Sequence, residues 1–314
     1  MARIFPLTNL MTRFKRCLLF AFLLTGWSLH AQQTRQPFLY KVSGNGLKEA
    51  SYLFGTYHLL GNSYLDAFPS VMRAFKESKG VIIEVRLSQA DPYKLAPLML
   101  MHDNSLSAML DTAVYEALSN DLHRFYGIRL QELDQMKPAM VSTMLMAAYA
   151  REWDSTVNQF KGKEIDAWFE LMSDSLKKPV TALESVDDQL KLLFLDTEES
   201  KQAQDLIMLS RNINRYGDNF RKMIHAYYVA DLDSLWAGVQ DEVRDSMPMD
   251  AARIMLDDRN NAWMQQLPAL MRGSSQFVAV GAAHLAGPSG LVAALRRQGY
   301  TVEPMRGQDV QLQK

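Results

Sequence analysis

A chain of 314 residues, 48% of them hydrophobic, is long enough to bury a sizeable core as one large domain or two small ones. Its formal net charge of -1, with acids and bases mixed along the chain, gives no electrostatic footprint for nucleic acid or for an anionic membrane. The one cysteine, Cys17, falls in the N-terminal leader described next, so the mature chain is expected to fold on its core without disulfides.

Arg13, Lys15 and Arg16 precede the apolar run "CLLFAFLLTGWSL", and the small Ala31 follows it, the pattern of a secretory signal peptide over residues 1–31. The run is too short to span a bilayer comfortably, and no later segment is apolar enough to be a transmembrane helix. The product is therefore expected to be periplasmic or secreted, with no stable membrane span after cleavage. Residues 32–314 are expected to form a single domain, with an N-terminal half-sheet over 37–91, a helical insertion over 92–272 and a C-terminal half-sheet over 273–314.

"FLYKVSG" and "ASYLFGTYH" flank "GNGLKE", whose Gly44, Asn45 and Gly46 supply the chemistry of a hairpin turn. "DAFPSVMRAFKES" then carries apolar residues at helical spacing up to Gly80, and "VIIEV" reads as a short buried strand. Between Pro92 and Arg272 the texture is helical and rich in Met, Leu and Ala; the longest such pattern begins at "AQDLIMLS" and runs through "ADLDSLWAGV". "PVTALE" interrupts it with a strand-like segment that can return the chain to the sheet. At the end come "SQFVAVGAAHLAG", a helix "PSGLVAALRRQ" opened by Pro288 and Ser289, and a strand "YTVEPM". The expected fold is α+β (mixed α/β), a central sheet made from two related strand-GxxH-helix-strand halves around the insertion.

The two halves share more than their order of elements. "YLFGTYHLLG" and "VAVGAAHLAG" both run from apolar residues into Gly-x-x-His-Leu-x-Gly, with motif glycines Gly55 and Gly281 and histidines His58 and His284. With 16 glycines and 6 histidines in the chain, only about 0.3 Gly-x-x-His matches arise by chance. A histidine leaving a strand toward a helix stands where open sheets bind their ligands. If the halves meet around a pseudo-twofold relation, His58 and His284 converge, and Glu84 at the end of "VIIEV" is the acid best placed to join them. Two histidines and a glutamate suit a divalent metal ion such as zinc, manganese or cobalt, with positions left for water and substrate. His102, His123 and His225 lack a patterned partner and read as structural or surface residues.

"YLFGTYH", "VIIEV", "GKEIDAWF", "PVTALESVDDQL", "DDRNNAWMQQL" and "FVAVGAAHLAGPSGLVAALRRQGYTVE", in that order, resemble the TraB/GumN (TraB/PrgY/GumN) family, which includes the Tiki metalloproteases. The resemblance implies a metal-dependent, hydrolase-like site centred on His58, His284 and Glu84. It also carries over the Arg259-Asn260 pair and the Leu183-Glu184-Ser185 element. Glu303 matches Glu84 only through the internal repeat.

The resulting expectation is an exported metallopeptidase-type hydrolase acting on a peptide or protein. Its metal is held by His58, His284 and Glu84, its proton is managed by Glu84 or Glu184, and Arg259 with Asn260 steadies developing negative charge. Glu184 can equally pair with Arg259 or stand behind a metal ligand, and Asp166 can cap or orient. Two alternatives stay open: a non-catalytic protein that binds or sequesters a peptide, and a metal-independent His/Glu hydrolase, as in the similar erythromycin esterase group.

Overall fold

The computed structural model describes residues 35–245 and 253–305, so the expected signal peptide lies outside the described residues. The chain enters on β1 (Leu39–Gly44) and folds back as β2 (Ser51–Thr56), an antiparallel pair in register from Leu39 opposite Phe54 to Val42 opposite Ser51. Its turn holds three consecutive left-handed residues, Gly44, Asn45 and Gly46 at φ 78°, 44° and 81°. Glycine and asparagine are the residues that adopt this conformation at least cost, so the hairpin is dictated locally.

Helix α1 (Pro69–Glu77) starts on Pro69 and buries Val71, Ala74 and Phe75, the i, i+3, i+4 stripe of an amphipathic helix. It delivers the chain to β3 (Gly80–Ile83), which is buried throughout. The insertion follows, containing α2 (Thr112–Tyr126), α3 (Pro138–Trp153) and α4 (Ile165–Ser175). β4 (Val180–Ala182) returns to the sheet, as "PVTALE" suggests. Then come α5 (Glu199–Arg211), α6 (Ile213–Tyr228), α7 (Leu232–Asp245) and α8 (Arg259–Gly273). β5 (Gln276–Gly281), α9 (Leu291–Arg297) and β6 (Tyr300–Pro304) close the fold.

Two boundaries differ from the sequence reading. The long helical pattern that ends at "WAGV" is three helices, broken at Asn212 and at Ala230, whose φ of 51° no α-helix can continue. The last helix starts at Leu291, with Gly290 and not Pro288 or Ser289 at its N-cap.

The sheet order is β4-β3-β5-β2-β1-β6. β4, β3, β5 and β2 are mutually parallel, while β1 runs antiparallel to both β2 and β6. The connection from β2 through α1 to β3 passes β5 in one direction, and that from β5 through α9 to β6 passes β2 and β1 in the other. The order of connections reverses between β2 and β5, and the crevice outside the carboxyl ends of such strands is where open α/β sheets bind ligands.

Two apolar clusters hold the described residues together. One surrounds the sheet, where the rings of Phe54, Phe75, Phe169 and Phe277 lie 4.9 to 6.0 Å apart. Burying each such ring is worth about 1.5–3 kcal/mol. The other is helical, with Leu118 and Leu122 of α2, Leu145 of α3 and Leu206 of α5 fully buried. Among the described residues no helix is long and apolar enough to cross a membrane.

Candidate active site

The carboxyl ends of the four parallel strands supply four of the singled-out side chains. His58 follows β2 by two residues, Glu84 follows β3 directly, Glu184 follows β4 by two, and His284 follows β5 on a 3-10 turn over Ala282–Leu285. Arg259 and Asn260 open α8. The repeats stand side by side on adjacent parallel strands, not facing across a pseudo-twofold axis, and their motifs are offset by one residue, since Gly55 pairs with Val280 and Gly281 with Thr56.

This offset gives the motif glycines different tasks. A Cβ on Gly55 would meet Cα and Cβ of Ala282 and Cδ1 of Leu285, each at 3.0 Å, so Gly55 lets the second motif pack on the first. A Cβ on Gly281 would lie 3.3 Å from Glu84 Oε1, 3.5 Å from His58 Nε2 and 3.7 Å from His284 Cδ2. The three side chains read as candidate ligands thus converge on one point.

Each histidine is oriented from behind. His58 Nδ1 lies 2.8 Å from Asp166 Oδ2, and Asp166 Oδ1 accepts the Thr56 hydroxyl at 2.7 Å. Asp166 reaches the site because the start of α4 is tied to the loop after His58: the Ile165 N–H donates to Leu60 O at 3.1 Å and the Asn62 N–H to Lys163 O at 2.8 Å. His284 is buried. Its Nδ1 is 2.9 Å from Asn260 Oδ1, while Asn260 Nδ2 donates to the carbonyls of His284 and Ser289 at 3.2 and 3.1 Å. With the amide hydrogens spent, Nδ1 must be the donor, and the His284 lone pair sits on Nε2.

Arg259 spans the acids. Its Nη2 donates to Glu84 Oε2 and to Glu184 Oε1, both at 2.6 Å, and its Nε to Glu184 Oε2 at 3.1 Å. Nη1 donates to His284 Nε2 at 3.0 Å and to Met255 O at 3.2 Å, and the guanidinium lies 4.8 Å from the Trp263 ring, which in turn is 4.4 Å from the His284 ring. Gln189 Nε2 steadies Glu184 at 3.2 Å. Glu84 Oε1 accepts the Gly281 N–H at 2.6 Å.

These surroundings separate the titrations. The Asp166 charge pushes the His58 imidazole up to about 9, more than burial lowers it. Burial pulls His284 down to about 4, with Arg259 and His58 adding to the effect and Glu84 opposing it. Burial alone would raise the Glu84 carboxyl, but the neighbouring histidines, Arg259 and the Gly281 N–H hold it below the usual range. Burial works the same way on Asp166, and His58 and Thr56 overcome it.

The set opens into a cleft of about 570 Å³. Its far wall is apolar, made by Phe220, Met223 and Ile224 of α6, Leu235 of α7, and Met255 and Leu256 of the π-helical turn Arg253–Asp258. His102, His123 and His225 are exposed. Glu303 faces solvent opposite Lys41 at the β6 edge, so the repeat does not carry a second acid to the site. Thr56 was not legible as a site residue, because its contact with Asp166 spans 110 residues, and Gln189, five residues beyond Glu184, carried no pattern that singled it out.

Residues 38–304 match the TraB/PrgY/gumN family. The chain belongs to that family. Over 321 aligned residues it is 24% identical to metalloprotease TIKI2 of Danio rerio, an alignment covering 87% of this chain and 62% of that protein. No solved structure matches the chain.

The family resemblance and this relative raise the question of a metal, and the side-chain types of His58, His284 and Glu84 suit one. Both imidazoles have Nδ1 held by a carbonyl-type oxygen, the arrangement that orients metal-ligating histidines, and Glu84 Oε1 lies 3.9 Å from His284 Nε2. Arg259 Nη1 occupies His284 Nε2, the atom an ion would need. As placed, no group of three His, Cys, Asp or Glu side chains among the described residues is arranged to hold an ion.

Proposed function

We propose that this chain is an exported, metal-dependent hydrolase acting on peptides, with His58, His284 and Glu84 as the residues that would hold a divalent ion. The observation that carries the reading is the convergence of the His58 ring, the His284 ring and the Glu84 carboxylate on Gly281, with both histidine tautomers fixed from behind. Such an ion, when bound, polarises a carbonyl and makes a water more acidic, the two requirements of amide hydrolysis.

The chain's own residues supply the rest. Asp166 and Asn260 present Nε2 of each histidine to the cleft side. Asn260 spends every polar atom on His284 and Ser289, so it is a positioning residue and the steadying of developing negative charge falls to Arg259. Glu184, engaged through both oxygens by Arg259, positions that arginine, which leaves Glu84 as the acid closest to the point of reaction. The apolar wall of the cleft suits a peptide with a hydrophobic side chain beside the scissile bond. Export rests on the leader pattern at residues 1–31.

A second reading is favoured by one observation. His58 with Asp166 forms a dyad whose Nε2 is open to the cleft, while Arg259 fills His284 Nε2, and such a pair can move a proton without a metal.

Elemental mass spectrometry of the purified chain, loaded with manganese, cobalt or zinc, is set beside a screen of peptides with apolar residues. About one ion per chain, lost together with hydrolysis in the His58→Ala/His284→Ala variant, is expected. Turnover that persists in chelator but still needs His58 would assign the dyad reading, and peptide affinity without turnover in either condition would assign a binding protein.

A further inference from the structure

All five N–H bonds of Arg259 are in use: one Nη1 hydrogen goes to Met255 O, and the other four fall into two groups. Nε and one hydrogen of Nη2 hold Glu184, while the other Nη2 hydrogen and one Nη1 hydrogen hold Glu84 Oε2 and His284 Nε2. The second group engages two of the three side chains that would bind an ion. An unprotonated imidazole nitrogen has one lone pair and serves one partner. The guanidinium and a divalent ion therefore cannot share His284 Nε2.

We infer that Arg259 is the resident cation of the metal-free site and that Glu184 is the berth to which it withdraws when an ion binds. Loss of the His284 and Glu84 contacts leaves the guanidinium with two bonds to Glu184, which Gln189 also steadies, and one to Met255 O. A carboxylate takes a guanidinium side-on through two such bonds, so the withdrawn position is a complete pairing and not a stranded charge. The metal-free site, for its part, is not left with a buried Glu84 lacking a cation. Glu184 thereby acquires a role different from that of a general base: it sets metal affinity through Arg259. The inference rests on the metal reading of the previous section.

The test is calorimetric titration of the purified chain with Mn²⁺, beside thermal melting in chelator. Arg259→Gln removes the competitor, and its Mn²⁺ dissociation constant is expected to fall roughly tenfold, the worth of one hydrogen bond to a charged group. The melting temperature in chelator is expected to fall at the same time, because the acids lose their cation. Glu184→Gln removes the berth and is expected to weaken Mn²⁺ roughly tenfold in the natural background but only slightly in the Arg259→Gln background, since the effect passes through the arginine. Arg259→Lys, whose ammonium cannot serve two carboxylates and His284 together, carries the same test if the glutamine variant does not fold, with a smaller tightening expected.

Histidine-dependent Mn²⁺ binding that neither arginine variant tightens overturns this inference alone, as does a Glu184 effect of equal size in both backgrounds. Absence of Mn²⁺ binding, or binding that survives His58→Ala/His284→Ala, overturns the metal reading and this inference with it.

Discussion

His58 and His284 leave adjacent parallel strands on the same Gly-x-x-His motif, yet they are different chemical groups. His58 is open to the cleft, backed by a carboxylate and pushed toward its charged form. His284 is buried, backed by an amide and held neutral. The motif fixes where a histidine stands, at the carboxyl end of a strand, while the residue behind it fixes its charge. Those partners come from two separate helices, Asp166 from α4 and Asn260 from α8. A repeated sequence thus gives a pair with one unprotonated Nε2, taken up by Arg259, and one that must lose a proton first, two unlike groups from one pattern.

The largest effect expected from breaking the pair is on stability. His284→Ala removes a buried ring, leaves Asn260 Oδ1 without its partner, takes one of two acceptors from Arg259 Nη1 and opens space against Trp263. It should cost about 2–4 kcal/mol in chemical denaturation of the metal-free chain. His58→Ala, at an open position, should stay within about 1 kcal/mol of the natural chain. Equal losses at the two positions would mean that the contrast in burial has no energetic weight.

The motif glycines sharpen the same contrast. Gly55→Ala forces a Cβ against the Ala282 backbone at 3.0 Å and is expected to destabilise by about 1–3 kcal/mol, read by thermal melting. Gly281→Ala meets side chains that can shift slightly, so its stability cost should stay below about 1 kcal/mol. It stands where His58, His284 and Glu84 converge, however, and misplacing them should lower hydrolysis or metal occupancy by roughly tenfold or more. One glycine protects packing and the other protects the site.

Much of this was legible in the sequence because it is local. The G-N-G turn, the two strands ending in Gly-x-x-His, the buried "VIIEV" with its terminal acid and the return strand at "PVTALE" follow from residue types and spacing. The placement of β5 between β2 and β3 was not legible, since all the parallel strands are short apolar runs whose pairing depends on the crossovers. The breaks at Asn212 and Ala230 escaped the periodicity because the apolar stripe resumes at once after each, and neither break is marked by glycine or proline. Asp166 was visible only as a residue able to cap or orient. Its choice of His58 is made by backbone bonds between Leu60, Asn62 and the start of α4, about a hundred residues apart.

The smallest expected effect tests the origin of the contrast most directly, through pH. The folded His58 pKa is raised from 6.5 to about 9, so the stability it contributes is fully present below pH 6.5 and is lost as pH rises through 9. The Asp166 carboxyl is depressed, so it stays ionised across this window and its own contribution fades only in acid. The denaturation midpoint of the metal-free chain should therefore decline modestly between pH 6.5 and 9, by an amount that solvent access to His58 keeps small. Asp166→Asn gives His58 the kind of partner that His284 has. It should return the His58 titration, followed by its ring proton resonances, toward the ordinary range and flatten the decline. A His58 that still titrates near 9 in Asp166→Asn would place the source of its charge elsewhere, in Glu84 or Glu164, and the difference between the two histidines would then belong to the cleft as a whole and not to the residue behind each ring.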